Sequence, residues 1–209
     1  MATDHLKPII AIDIDDVLFP FIVGVARYHN SLKGTSLTPA DFVNFNLREV
    51  WGGTIEDSAR LVDGFHAADH LVLEPVEGAQ RALRRLQKDF TIVLVTARNV
   101  LFEPQTSRWL KHHFGGLFET VIFAGNPHDG RTYRSKGELC KQTGAVLLID
   151  DHPNNLLSAT ESGLEGILFG VKTWSVMDRL PAASVRHCKD WEQTERYIYD
   201  EWRPKQLSR

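Results

Sequence analysis

Five short apolar runs, rich in β-branched residues and separated by helix-patterned segments, constrain this chain more than any other feature. They cover residues 9–13, 91–96, 120–123, 145–150 and 166–169. A run that is apolar at every position suits a strand buried on both faces, and strands joined through helices run parallel. The expected fold is therefore α/β, a doubly wound parallel sheet. Helical patterns occupy residues 76–89, 104–114, 135–144 and 153–163, the last two ending on glycines suited to closing a helix. Ser135 and Glu138 have capping-box spacing. The polar tail, residues 174–209, carries Trp191, Tyr197, Tyr199 and Trp202 and is expected to pack as a final helix.

One interval breaks the rhythm. Between the first and second strands lie residues 20–75, far more than a strand-helix-strand crossover needs. An insertion at the carboxyl end of a strand sits over the crevice where open α/β sheets bind ligands. The expected organisation is a core made of residues 1–19 and 76–209, with a small, mainly helical cap formed by residues 20–75.

Composition removes several partner classes. Lys and Arg number 24 against 27 Asp and Glu, a net charge of -3, so no basic field recruits nucleic acid. A small soluble partner is expected instead. No apolar run approaches the roughly 20 residues that span a bilayer, so no membrane partner is expected. The start "MATDHLKP" lacks the basic and apolar regions of a secretory signal, and the expected location is cytoplasmic. Cys140 and Cys188, without CxxC spacing, read as two packed thiols.

The strand ends carry the chemistry. In an extended chain Asp13 and Asp15 project to one side while Asp16 turns away. Two carboxylates that close imply a shared proton or a cation, and a hard ion such as Mg²⁺ resolves the repulsion. Asp150 and Asp151 end another strand, which a parallel sheet brings to the same edge. Thr96 ends a third, where its hydroxyl and the following backbone N–H groups suit a phosphate; Ala97 and Arg98 follow directly. Lys136 opens a helix, where its ammonium and the helix dipole both favour an anion.

In that order, Asp13-x-Asp15-x-Val17, Thr96, Lys136 and Asp150-Asp151 resemble the four motifs of the haloacid dehalogenase (HAD) superfamily of phosphohydrolases, over residues 9–169. The segments "TPADFVNFNLREVWG", "VLVTARN" and "LLIDDHPNN" resemble its cytosolic 5'(3')-deoxyribonucleotidases, which usually carry Gly where this chain has Asp16. The resemblance implies a HAD-like Rossmannoid core and a phosphomonoesterase acting on nucleoside monophosphates. It further implies Asp13 as nucleophile and Asp15 as acid and base. Mg²⁺ is then held by Asp13, the Asp15 backbone carbonyl and Asp150. Thr96, Ala97, Arg98 and Lys136 bind the phosphoryl group, and Asp151 serves in a secondary role, supporting the ion's water shell or orienting Lys136.

Other readings stay open at this stage. A HAD phosphatase for another small phosphate ester or a phosphoprotein fits the same motifs, as does a catalytically silent protein on the same fold. A receiver-type domain fits less well, because the second acidic pair follows Lys136 instead of preceding the threonine. No GxGxxG follows the first strand, which argues against a dinucleotide module. Among the aromatics of the insertion and its approach, Phe19 and Phe45 are the candidates to stack a base, while Phe21, Phe42 and Trp51 are expected in the core. His66, His70, His112 and His113 are expected to be solvated or capping. The sequence leaves the oligomeric state open, a homodimer included.

Overall fold

The computed structural model describes residues 7–44, 46–118, 120–125, 133–172 and 180–203. Strands β1 (Ile9–Ile12), β2 (Thr91–Thr96), β3 (Thr120–Phe123), β4 (Ala145–Asp150), β5 (Glu165–Phe169) and β6 (Val185–Cys188) form one sheet in the order β3-β2-β1-β4-β5-β6. Every pairing is parallel. Helices α1 (Phe21–Lys33), α2 (Arg48–Trp51), α3 (Ile55–Ala67) and α4 (Ala79–Leu86) lie between β1 and β2, and α5 (Glu103–Phe114) follows β2. Helices α6 (Lys136–Thr143), α7 (Pro153–Glu161) and α8 (Trp191–Tyr197) complete the set.

The apolar strand residues build this sheet because successive side chains alternate between its faces. Ile10, Ile12, Leu94, Leu147 and Ile149 share one core cluster with Leu83, Trp109 and Trp191 from α4, α5 and α8. Ala11, Val95 and Leu148 share the other with Leu139 of α6 and Leu156 of α7. Helices thus cover both faces. Leu147, Leu148 and Ile149 are fully buried, and each contributes about 1.5–3 kcal/mol relative to exposure. The residue that follows them, Asp150, therefore starts from a rigid base.

β1 lies at the centre, where the chain order reverses between β2 and β4. The carboxyl ends flanking such a reversal form the ligand crevice of open α/β sheets. The sequence expectation of an α/β parallel sheet thus holds, and its corrections are local. The expected helix over 76–89 narrows to Ala79–Leu86, because Gly78 adopts a left-handed backbone with φ 81° just before it. The tail contains more than a helix: β6 adds a sixth strand before α8. Only Val185 and Cys188 of that strand are buried, so its pattern reads as polar.

The aromatic residues between β1 and β2 mostly pack on one another. Phe42 and Phe65 are buried, Phe65 lies against Phe21 and Tyr28, and Trp51 stacks on His29 with centroids 5.3 Å apart. Thr54 starts α3 with a capping box shared with Asp57, a motif worth about 1 kcal/mol.

Candidate active site

The four sequence motifs meet at the carboxyl ends of β1, β2 and β4. Asp13 follows β1, and its backbone N–H still donates to the Ile149 carbonyl of β4 at 2.9 Å. This keeps it in the sheet beside Asp150. Lys136 begins α6, whose N-cap Ser135 accepts from the Glu138 N–H at 3.2 Å. Next to it, Gly137 lies so close to α7 that a Cβ would run into the Ser158 carbonyl. That approach fixes the start of α6 against α7. The Lys136 ammonium then lies 2.7 Å from both Asp13 Oδ1 and Asp150 Oδ2, with the residue only 1% exposed.

Burial opposes the charge on Lys136, yet the two carboxylates hold its pKa above the ordinary lysine value. Asp13 is pushed up to about 7 by burial, with Lys136 working against that rise and Asp150 and Asp15 adding to it. Asp150 is held by two further donors: the His152 N–H reaches its Oδ1 at 2.8 Å, and the Asn155 side-chain amide reaches both oxygens at 3.0 and 3.1 Å. Asn155 was not among the sequence candidates. Its place in the first turn of α7, five residues past Asp150, is the signal that could have found it.

Asp151 is nearer the centre than a secondary role requires. Oxygen atoms of Asp13, Asp150 and Asp151 all lie within 4.8 Å of one another. Burial, with the charges of Asp16, Asp150 and Asp13, raises the Asp151 pKa well above the usual carboxylate range.

Asp15 and Asp16 depart from the extended-chain expectation. β1 ends at Ile12, and the chain beyond Asp13 curls into a loop in which Leu18 and Phe19 N–H both donate to the Ile14 carbonyl at 2.8 Å. The Asp15 side chain faces Arg98, whose Nη2 lies 2.7 Å from Oδ1 and whose Nε lies 3.0 Å from Oδ2. Burial works to raise the Asp15 pKa, but the Arg98 charge and hydrogen bonds bring it below the ordinary value. Asp16 takes φ 55°, a left-handed conformation natural to glycine and tolerated by Asp. Its carboxylate accepts from the Ile22 N–H at 3.2 Å and pairs with Lys172 at 3.4 Å. It therefore caps α1 from outside the helix, whose own N-cap Pro20 offers no side-chain acceptor.

The phosphate candidates divide. Thr96 is fully buried, with its hydroxyl accepting from the Arg98 N–H at 3.2 Å, while Ala97 is exposed at the strand end. Arg98 is buried and engaged with Asp15 and with Thr106, whose hydroxyl accepts from Nη1 at 3.1 Å. The base-stacking candidates divide too. Phe19 is 1% exposed and packed edge-on against Trp109, with one ring face covered by the Arg98 guanidinium at 4.4 Å. It therefore belongs to the interior. Phe45 lies outside the described residues.

Beside this cluster is a cavity of about 100 Å³, lined by Phe19, His66 and His70 on one side and Arg98, Gln105 and Arg108 on the other. Here the expectation of solvated or capping histidines holds for His70 and His112 and fails for His66 and His113. His66 is buried in a stacked pair with Phe21, 5.5 Å apart, and His70 bonds the Phe65 carbonyl. His113 is also buried, 3.1 Å from the Leu71 carbonyl, whereas His112 is exposed.

Burial, reinforced by the Arg98 charge, pushes the His66 pKa down to about 3. The unfolded chain gains a proton near pH 6.5 that the folded chain refuses, so this contribution is complete above 6.5 and lost as pH falls. The expected slope is about 1.4 kcal/mol per pH unit between those limits. His66→Gln should therefore narrow its stability gap from wild type between pH 7 and pH 5, measured by urea unfolding. A gap independent of pH would contradict the neutral, buried His66.

The fold and this site define the class, a HAD-type phosphohydrolase. A family model described as 5' nucleotidase, deoxy (pyrimidine), cytosolic type C protein matches residues 7–198, and the chain belongs to that family, which makes it a phosphatase. No curated protein matches it in sequence. Solved structures with the same fold include a haloacid dehalogenase-like hydrolase from Streptococcus pneumoniae, at 13% identity and TM-score 0.65 over 94% of this chain and 100% of that one. A HAD-superfamily hydrolase of subfamily IA from Geobacter sulfurreducens gives 16% identity and TM-score 0.60 over 95% and 98%. D,D-heptose 1,7-bisphosphate phosphatase from B. bronchiseptica, complexed with magnesium and phosphate, gives 14% and 0.57 over 93% and 99%. Among the described residues, no helix is long and apolar enough to cross a membrane.

Proposed function

We propose that this phosphatase hydrolyses nucleoside monophosphates through an aspartyl-phosphate on Asp13, with Mg²⁺ as its metal. The family match over residues 7–198 carries the substrate reading. The cavity supports it: at about 100 Å³ it is on the scale of one aromatic ring, and aromatic, histidine and amide side chains line it.

The donor set fits a divalent cation. Five acidic side chains, Asp13, Asp15, Asp16, Asp150 and Asp151, gather around the cations of Lys136, Arg98 and Lys172, leaving an excess of two negative charges when all are ionised. Carboxylate oxygens are the ligands that a hard ion prefers. Asp13, Asp150 and the Asp15 backbone carbonyl would hold it, with Asp151 the third carboxylate within reach. When bound, the ion supplies positive charge to the phosphoryl oxygens.

The residues supply the remaining chemistry. In the first half-reaction an Asp13 oxygen bonds to phosphorus, the ester P–O bond breaks, and the leaving alkoxide takes a proton from the protonated form of Asp15, a minor form in the free enzyme because Arg98 favours the carboxylate. In the second, water attacks phosphorus, its proton passes to Asp15, and the Asp13 carboxylate departs. Lys136, the Thr96 hydroxyl and the Ala97 N–H hold the phosphoryl oxygens, where charge spreads in the transition state. Residues 20–75 act as the cap, placing His66 and His70 over the leaving group.

Phosphate release over nucleoside monophosphates, sugar phosphates, phosphoproteins and an aryl phosphate tests this directly. Nucleotides should give the highest kcat/KM, and EDTA should remove all activity, with Mg²⁺ restoring it. A dominant sugar phosphate or phosphoprotein would overturn the nucleotide reading, and full activity in EDTA would overturn the metal. Phe19→Ala should depress nucleotide and aryl phosphate alike, because Phe19 is buried and its ring supports the Arg98 guanidinium.

A further inference from the structure

We propose that Arg98 is the positioning residue for Asp15, clamping its carboxylate between the ends of β2 and α5, an inference that rests on the acid and base role given to Asp15 above. Asp15 needs an external hold. It lies beyond β1 in a loop, and its side chain is 24% exposed, whereas that of Asp13 is 6% exposed and fixed by Lys136. Arg98 meets it in a two-pronged pair, Nη2 to Oδ1 at 2.7 Å and Nε to Oδ2 at 3.0 Å. A guanidinium in this geometry sets the plane of a carboxylate as well as its place.

Two neighbours fix the guanidinium in turn: Thr106 of α5 accepts from Nη1 at 3.1 Å, and the Phe19 ring lies under the carbon at 4.4 Å. The Arg98 backbone N–H donates to Thr96 Oγ1 at 3.2 Å and so holds the start of the side chain. All three guanidinium nitrogens therefore have partners in the protein, and the side chain is only 4% exposed. Three of its five N–H groups thus go to Asp15 and Thr106, so most of its hydrogen-bonding capacity serves the carboxylate and its support.

The prediction separates this role from phosphate binding. An activated aryl ester leaves without a proton, so a misplaced Asp15 slows only its second half-reaction, whereas a nucleotide needs Asp15 in both. In the full chain with Mg²⁺, Arg98→Ala should lower kcat for a nucleoside monophosphate by about 10- to 100-fold, the usual cost of removing an orienting partner. With dinitrophenyl phosphate it should accumulate phosphoenzyme, as Asp15→Asn should. Added to Asp15→Asn, Arg98→Ala should cost less than about 3-fold more, because residues acting through one another are not additive. Thr106→Val, which keeps the charge and the shape, should shift both substrates in the same order to a smaller extent. That variant carries the test should Arg98→Ala not fold. Equal losses on both esters, no phosphoenzyme and full additivity would overturn the clamp and make Arg98 a direct phosphate ligand. Wild type inert toward both esters would overturn the phosphatase reading and the clamp with it.

Discussion

Asp13→Asn should lose turnover by about six orders of magnitude, the scale observed when a covalent nucleophile is removed. The amide keeps the size and hydrogen-bonding reach of the carboxylate but cannot form the acyl-phosphate bond. The fold should survive. Asp13 is pushed up to about 7 by burial and by the charges of Asp150 and Asp15, against the pull of Lys136. Removing one of several crowded carboxylates therefore relieves repulsion, and the variant should be at least as stable as wild type in EDTA. Residual turnover within about a hundredfold of wild type would exceed what positioning alone supplies, and would show that another group attacks phosphorus.

Lys136→Ala carries the second large effect, on both activity and stability. Its ammonium is the cation shared by Asp13 and Asp150, at 2.7 Å from each. Loss of a fixed positive group facing the phosphoryl oxygens should lower kcat by about 10²- to 10³-fold. The same change leaves two buried carboxylates facing each other, a defect worth about 3–5 kcal/mol in metal-free buffer. Mg²⁺ should return part of that loss, since a ligand that binds only the folded state stabilises it. The Tm of the variant should therefore rise on adding Mg²⁺ by more than that of wild type. Arg should substitute poorly, because its planar fork cannot reproduce a compact ammonium beside Gly137, where α6 and α7 nearly touch. Near-normal turnover would overturn the phosphoryl role of Lys136, and a Tm unchanged in EDTA would overturn its structural one.

How much of this was legible depended on the range of the cause. Continuous apolar runs located five strands, and parallel order then required Asp13, Thr96 and Asp150 to share an edge, since every strand ends on the same side. Those are consequences of local pattern. β6 escaped because its two buried residues, Val185 and Cys188, serve opposite faces of the sheet and are separated by Arg186 and His187 in a polar tail, which leaves no apolar run to read. The direction of Asp15 escaped because it was inferred from an extended chain, whereas the loop after Asp13 is set by hydrogen bonds to the Ile14 carbonyl. Its partner Arg98 lies 83 residues away, a pairing that no local spacing encodes. His66 was expected to be solvated or capping. The packing of α3 beside Phe21 and Phe102 buried it. Asp16 was visible as an unusual carboxylate, but its left-handed backbone and its hold on α1 appear only in three dimensions.

The central claim is that Asp13 carries the phosphoryl group between substrate and water. The most direct test is to quench the Mg²⁺-loaded wild type and Asp15→Asn during turnover of an activated aryl phosphate, then map the modified peptide by mass spectrometry. One added phosphoryl group is expected on the peptide containing Asp13, more abundant in Asp15→Asn and absent from Asp13→Asn. A phosphoryl group on any other residue, or persistence of the adduct in Asp13→Asn, would contradict that claim.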